Sequence, residues 1–392
     1  MMSKYIKGTL LSGVAILGLI ACGSSDSTSS NVITPYKRVA VIPGTTADIQ
    51  AIALKISDYV VKTDEAAVLG FPSNWVIAGA NPGAKETYDG NEDLVPIPVD
   101  TGSAVYASRV IEFCNGAYAT QATNTGQQRG SALPCEVAVH SDGTNVYVDM
   151  LDADAIFTMF FPDTPDPEGA LKAMANAVKS ELRTMIMTAL GGTAGVTEST
   201  QALGPSFTTT ELSSIHDSDI YQVTKYQSAT GQTFTTTDAK ILAQTIIAKL
   251  GTDAINADAY VSGLSANSQW RSARPDPIAI PGVFVTEACS PTYAKMATRL
   301  GSEYITALPC EITAYLDRTD PTNKTIAVSV LNPHFMFEYM FKNAVDNAVK
   351  NTGLSEDDAA KYETLATTIL ADLNKIVNAA VAGSGLNLKS TP

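Results

Sequence analysis

The sequence is short of the residues on which common catalysts are built. In 392 residues there are three histidines, two tryptophans and five cysteines. Only 17% of the chain is charged, and acids outnumber bases 40 to 26, for a net charge of −14. Without clustered Lys and Arg there is no footprint for a phosphate backbone, which excludes a nucleic-acid partner. In the body of the chain, no uninterrupted apolar run reaches the ~18 residues that span a bilayer. No P-loop, G-x-S-x-G elbow, H-E-x-x-H pair or EF-hand loop occurs, so no catalytic residue, metal site or cofactor is expected. What is present is 45% hydrophobic residues, enough to bury a core. The length allows two or three domains.

The N-terminus has the grammar of export. Lys4 and Lys7 give a positive start with no acid, and Gly8 to Ala21 is uncharged and rich in Leu, Ile, Val and Gly. That stretch is too short for an ordinary membrane span and suits a signal-peptide core. It ends in Leu19-Ile20-Ala21-Cys22, which resembles the bacterial lipobox. The resemblance implies cleavage after residue 21, acylation of Cys22 and a diacylglycerol plus N-acyl anchor in the bilayer. Two or more acyl chains hold a protein firmly. Residues 22–35, with Gly23-Ser24-Ser25-Asp26-Ser27-Thr28-Ser29-Ser30, form a flexible tether. No Asp follows Cys22 at the position linked to inner-membrane retention. The expected location is therefore the bacterial cell envelope, at the outer membrane facing the periplasm.

The body repeats itself. Ala132-Leu133-Pro134-Cys135-Glu136-Val137 returns as Ala307-Leu308-Pro309-Cys310-Glu311-Ile312, and Cys114 returns as Cys289 at the same offset. Downstream, Phe157–Phe161 aligns with Phe337–Phe341, and Asn176-Ala177-Val178-Lys179 with Asn347-Ala348-Val349-Lys350. Two copies are too few for a solenoid. The expected organisation is a first domain over 36–190, a Gly/Thr/Ser-rich linker over 191–215 and a second domain over 216–385. In each copy a helix pattern follows a short strand. Later, apolar alternation on both sides of Ser141-Asp142-Gly143-Thr144 predicts a hairpin. Leu171, Met174, Val178, Leu182, Met185, Ile186 and Ala189 form one helical stripe. In the second copy Ser355 caps a longer helix that Gly383 stops. The fold class is α+β: two homologous domains, each a small sheet with a C-terminal hairpin packed by helices, plus a helical tail per repeat.

Cys114-Asn115-Gly116, a long gap, Leu133-Pro134-Cys135-Glu136-Val137, a DG turn and a strand ending at Leu151-Asp152 resemble the bacterial domain-of-unknown-function 302 family. The second copy carries Cys289-Ser290-Pro291 and Leu331-Asn332-Pro333 at the matching places. Glu136 and Glu311 stand where that family usually has a basic residue. The resemblance implies a small α+β domain that tends to pair, with no agreed activity. Each copy also carries a Phe/Met cluster that is costly to leave in water. An intramolecular pseudo-dimer of the two repeats in a monomeric chain is therefore expected, with the helices at 168–190 and 355–382 across or beside the contact.

Four cysteines remain after Cys22: Cys114, Cys135, Cys289 and Cys310. An even count at repeated spacing in an exported protein suggests disulfides. Reactive or soft-metal-binding thiols and free buried thiols are the alternatives. A place between a strand and a helix N-terminus would favour a thiolate at Cys114. The histidines do not repeat, which excludes a duplicated histidine site. The clusters Phe157–Phe161 and Phe335–Phe341 suit core or inter-copy packing, or the wall of an apolar ligand pocket. Two functions follow. One is a non-enzymatic envelope lipoprotein that binds or supports a protein or small-molecule partner. The other is a thiol-based redox, sulfur-handling or soft-metal-binding protein that uses the paired cysteines.

Overall fold

The computed structural model describes residues 32–61, 75–81, 107–133, 135–166, 168–252, 255–272, 274–307, 310–351 and 353–390. The leader, Cys22 and the tether up to residue 31 lie outside the described residues.

The first repeat runs β1 (Tyr36–Pro43), α1 (Ile49–Val61), β2 (Trp75–Asn81), β3 (Ala107–Asn115), α2 (Gly116–Thr125), β4 (Cys135–Ser141), β5 (Asn145–Leu151), α3 (Ala153–Phe160) and α4 (Ala170–Ala189). Strands β6 (Thr197–Glu198) and β7 (Ala202–Leu203) follow. The second repeat runs β8 (Tyr221–Ser228), α5 (Thr236–Leu250), β9 (Arg271–Ser272), β10 (Ile278–Ile280), β11 (Val283–Cys289), α6 (Pro291–Thr298), β12 (Cys310–Leu316) and β13 (Thr325–Leu331). It closes with α7 (Ala344–Asn351), α8 (Leu365–Gly383) and β14 (Leu388–Ser390).

Each repeat builds an antiparallel seven-stranded sheet. The orders are β2-β3-β4-β5-β1-β6 and β10-β11-β12-β13-β8-β14, with β7 beside β1 and β9 beside β11. The chain is thus α+β, with two matched sheets packed by helices. The expected hairpin is β4–β5, where Gly143 takes φ +94°, a left-handed turn position that suits glycine. One sheet face points at helices. Val137, Val139, Val146, Val148 and Met150 are buried there, together with Ile52, Ile56 and the α4 stripe. The alternate residues point to the other face, because successive strand side chains alternate.

That other face meets the opposite repeat. The 3₁₀ turn Gln127–Ala132 lies on strands β8 and β11 to β13, and the matching turn Ser302–Ala307 lies on β3 to β5. The two arms differ in bulk in a complementary way. A Cβ on Gly130 would sit 2.8 Å from Thr313 Cγ2, whereas Ile305 packs on Val110 and Ala138. A large arm residue therefore meets a small sheet residue on one side, and the reverse holds on the other. Gln127 Nε2 donates to the Leu316 carbonyl at 3.0 Å, and Arg318 N–H donates back to Gln127 Oε1 at 3.0 Å. Phe160 meets Phe335 edge-on at 5.3 Å between ring centroids, and one continuous core runs through both halves.

The long helices sit elsewhere than expected. α4 packs on α1 and α3, and α8 packs on α5, so each covers its own repeat. The reason is their stripes, which match the helix-facing side of their own sheets. α8 is long and apolar enough to cross a membrane by composition, but Leu373, Ile376 and Ala380 are buried in the core. Residues 191–215 are ordered. β6 and β7 pair with β1, and Phe207, itself buried, exchanges two backbone bonds with Ile33 at 2.8 Å.

Candidate functional site

The strand register decides the cysteines. Cys135 lies opposite Phe113, and Cys310 lies opposite Ala288. Cross-strand partners share a face, so Cys114, the residue after Phe113, falls on the other face of its sheet from Cys135. Cys135 accordingly packs on the main core, while Cys114 packs with Ile280, Val283 and Val285 of the second repeat. None of the four is joined in a disulfide. The expected bridges Cys114–Cys135 and Cys289–Cys310 are not formed; in the first repeat the two side chains leave opposite faces of the sheet, and a disulfide needs Cβ vectors that converge.

The expected thiolate at Cys114 is not favoured either. The first N–H groups of α2 are taken by Asn115 Oδ1, which accepts from Ala117 at 3.1 Å and from Tyr118 at 3.3 Å. Burial then pushes the Cys114 thiol up to about 11. Burial pushes Cys135 and Cys310 higher, and the neighbouring Glu136 and Glu311 carboxyls add to it. An acid after the second cysteine therefore opposes ionisation, the reverse of what a basic residue would do.

A matched clamp lies at the end of each sheet. In the first repeat, Trp75 Nε1 donates to Glu181 Oε2 at 2.7 Å, and the Tyr118 hydroxyl donates to Oε1 at 2.6 Å. In the second, Trp270 Nε1 and the Tyr293 hydroxyl donate to Asp372 Oδ2 at 3.2 and 3.0 Å. Ser265 adds its N–H and hydroxyl to Asp372 Oδ1 at 2.9 and 3.1 Å. A buried carboxylate held by several donors fixes the indole and the phenol ring together. These residues were missing from the sequence-derived site. The chain's two tryptophans, one per copy, and Tyr118 and Tyr293, at the same offset as the cysteines, are the signal that could have found them.

In the second repeat the clamp walls an apolar cavity of about 60 Å³. Trp270, Cys289, Tyr293, Cys310, Phe337 and Phe341 line it. The structure thus brings Cys289 and Cys310 to one cavity, together with the second Phe/Met cluster. That cluster opens as a short α-turn, Pro333–Phe335, and continues as a π-turn, Met336–Met340. The matching segment of the first repeat, α3, is regular α-helix. A π-turn widens the helix and re-aims side chains, and here Met336 and Phe337 face the cavity.

The histidines serve other ends. His140 Nε2 lies 2.7 Å from Asp149 Oδ2, and Arg38 Nε donates to Asp149 Oδ1 at 2.8 Å. The Arg38 guanidinium also stacks 3.9 Å from the centre of the Tyr147 ring. His216 pairs with Asp163 at 3.0 Å. Among the described residues, no group of three or more His, Cys, Asp or Glu is arranged to hold a metal ion.

Comparison with known proteins places part of this arrangement. The family model "Domain of unknown function DUF302" matches residues 100–189, which run through β3, the arm, the hairpin and α4. No protein of curated function matches the chain. A solved structure, an uncharacterised conserved DUF302 protein from Bacillus stearothermophilus, aligns at 16% identity with a TM-score of 0.26. The alignment covers 39% of this chain and 95% of that one.

Proposed function

We propose, from the premise that the chain is a DUF302-family protein, that it is a non-enzymatic, lipid-anchored binding module of the bacterial envelope. In this reading Cys22 carries the acyl anchor, the tether lifts the body from the outer membrane, and the two repeats act as one intramolecular pseudo-dimer. The ligand is a small apolar molecule held in the second repeat. The observation that supports this is the apolar cavity walled by Trp270, Tyr293, Phe337 and Phe341. Ligand sites are mostly apolar with a few fixed polar groups. Here Trp270 and Tyr293 are held by bonds to Asp372, which is not itself part of the cavity's lining. The test is binding of xenon, an apolar atom small enough for a cavity of this size, to the purified mature chain, read by xenon NMR. Ala294→Leu, which fills the cavity from α6, should abolish probe binding and leave the fold intact. Unchanged binding in that variant would refute the reading.

A thiol-based role draws on one observation, that Cys289 and Cys310 border the same cavity and form no disulfide. It predicts that alkylating them in the native chain blocks a soft-metal or sulfur ligand. Slow alkylation at neutral pH, with the apolar probe still bound, favours the first reading.

A further inference from the structure

The faces by which the two repeats meet carry four glutamates at matched positions. Glu112 on β3 lies opposite Glu136 on β4, and Glu287 on β11 lies opposite Glu311 on β12. All four are buried, with Glu112 at 0% and Glu287 at 1% exposure. Across the contact, the Glu112 side chain meets Glu287, and that of Glu136 meets Glu311. Among the described residues, no other donor reaches either carboxyl oxygen of Glu112 or Glu287, or Oε1 of Glu311.

An ionised carboxylate accepts hydrogen bonds and cannot donate one. Two facing carboxyls bond each other only when one of them carries a proton. The groups around the cluster supply little compensation. Arg274, between β9 and β10, is near Glu112 and Glu287 and also near Cys114. Tyr36 and Cys135 face Glu136, and Cys310 faces Glu311. Tyrosine and thiol add no positive charge, so among the described residues Arg274 offsets Glu112 and Glu287, while the groups named beside Glu136 and Glu311 are uncharged or acidic. Uncompensated charges in a dry contact are strongly unfavourable, and adjacent carboxylates resist joint ionisation.

We propose that Glu112–Glu287 and Glu136–Glu311 are proton-sharing carboxyl pairs that clasp the two repeats, so that the contact between repeats loosens as pH rises. Burial first, and neighbouring carboxylates next, hold Glu136, Glu287 and Glu311 well above the ordinary carboxylate range, and burial raises Glu112. The unfolded chain releases these protons above about pH 4.3, the ordinary Glu value. The folded chain keeps them to higher pH. The clasp's contribution is therefore complete below that value and is lost as pH rises through the folded values.

The experiment is thermal unfolding of the full mature chain between about pH 5 and pH 9. Wild type is compared with E112Q/E287Q, with E136Q/E311Q and with the exposed control E168Q/E363Q. Glutamine keeps the shape of a protonated glutamate and supplies its own donor. Wild type and control should lose melting temperature with rising pH along parallel curves, while the two paired variants give flatter ones. Parallel curves for all four proteins overturn the proposal. Infrared spectroscopy gives a second readout that needs no variant to fold. Wild type at about pH 7 should show a carbonyl band of protonated carboxylic acid shielded from solvent exchange, and its absence also overturns the proposal.

Discussion

The Tyr36 hydroxyl, at the start of the first sheet, donates to the Met340 carbonyl of the second repeat at 3.0 Å. Tyr221, at the start of the second sheet, returns the bond to the Phe160 carbonyl at 2.7 Å. Both tyrosines are buried. Each anchors the end of the other repeat's Phe cluster, so the exchange is reciprocal. Removing either hydroxyl leaves a buried carbonyl without its donor, at a cost of about 1–3 kcal/mol. Tyr36→Phe and Tyr221→Phe should each lower the unfolding free energy of the whole chain by that amount, read as a lower urea midpoint at unchanged slope. Two resolved transitions in wild type would show that the halves unfold independently and would remove this prediction.

The arm contact is tighter on one side. A side chain at Gly130 would press on Thr313 and Val283, with Cβ contacts of 2.8 and 2.9 Å. Overpacking of this kind costs about 1–3 kcal/mol. Gly130→Val should therefore destabilise the chain, and Gly130→Val combined with Thr313→Ala should recover much of the loss. Ile305→Ala, the opposite arm, should cost about 2–5 kcal/mol as a cavity. Equilibrium denaturation of the three variants measures both effects. Additive losses in the double variant would contradict the packing account.

The buried Asp149 works in the opposite pH direction to the glutamates. Burial raises its pKa, but bonds from His140 and Arg38 outweigh that and hold it below the ordinary value. Its contribution is present above the unfolded aspartate pKa, about 3.9, and is lost as pH falls through the folded value. Asp149→Asn leaves Arg38 and His140 without their shared carboxylate, which should cost about 3–5 kcal/mol near neutral pH. The gap between variant and wild type should shrink as pH falls below about 4. A gap constant with pH counts against the ion-pair assignment.

The elements legible in the sequence were those with periodicity. The β4–β5 hairpin carries apolar alternation and an Asp142-Gly143 turn, and α4 carries a clean buried stripe from Leu171 to Ala189. β6 and β7 are two residues each, too short to show a period. The cysteine spacing recurs in both copies, yet a one-residue offset in register sets whether two sulfurs can meet. Spacing along the chain does not encode that. The pairing of Arg38 with Asp149 and the meeting of Glu112 with Glu287 depend on which strands become neighbours, which no local pattern states.

Cysteines outside any disulfide lead to a chemical prediction. In the native chain at about pH 8, Cys114, Cys135 and Cys310 should react slowly with a disulfide reagent, since burial keeps these thiols protonated. Denaturation without reductant should release all four as titratable thiols. Peptide mapping without reduction checks the same point. A Cys114–Cys135 peptide pair in the unreduced digest would mean that β3 and β4 shift register on oxidation.

The two clamps permit a comparison within one chain. Asp372 is fully buried and accepts from Trp270, Tyr293 and both donors of Ser265. Hydrogen bonds to a charged group are worth about 1.5–3 kcal/mol each. Asp372→Asn places an amide against donors that need an acceptor, so it should destabilise the chain by at least about 3 kcal/mol. Glu181→Gln loses the same kind of contact to Trp75 and Tyr118 and should cost somewhat less, because Glu181 is held by those two donors. Their effects on binding should differ. Trp270 and Tyr293 form walls of the apolar cavity, so Asp372→Asn frees both rings and should weaken binding of the apolar probe. Glu181→Gln lies in the other repeat and should leave it unchanged. Probe titration under conditions where both variants are folded separates the two outcomes. Equal loss of binding in both would mean that the second-repeat cavity is not where the probe resides.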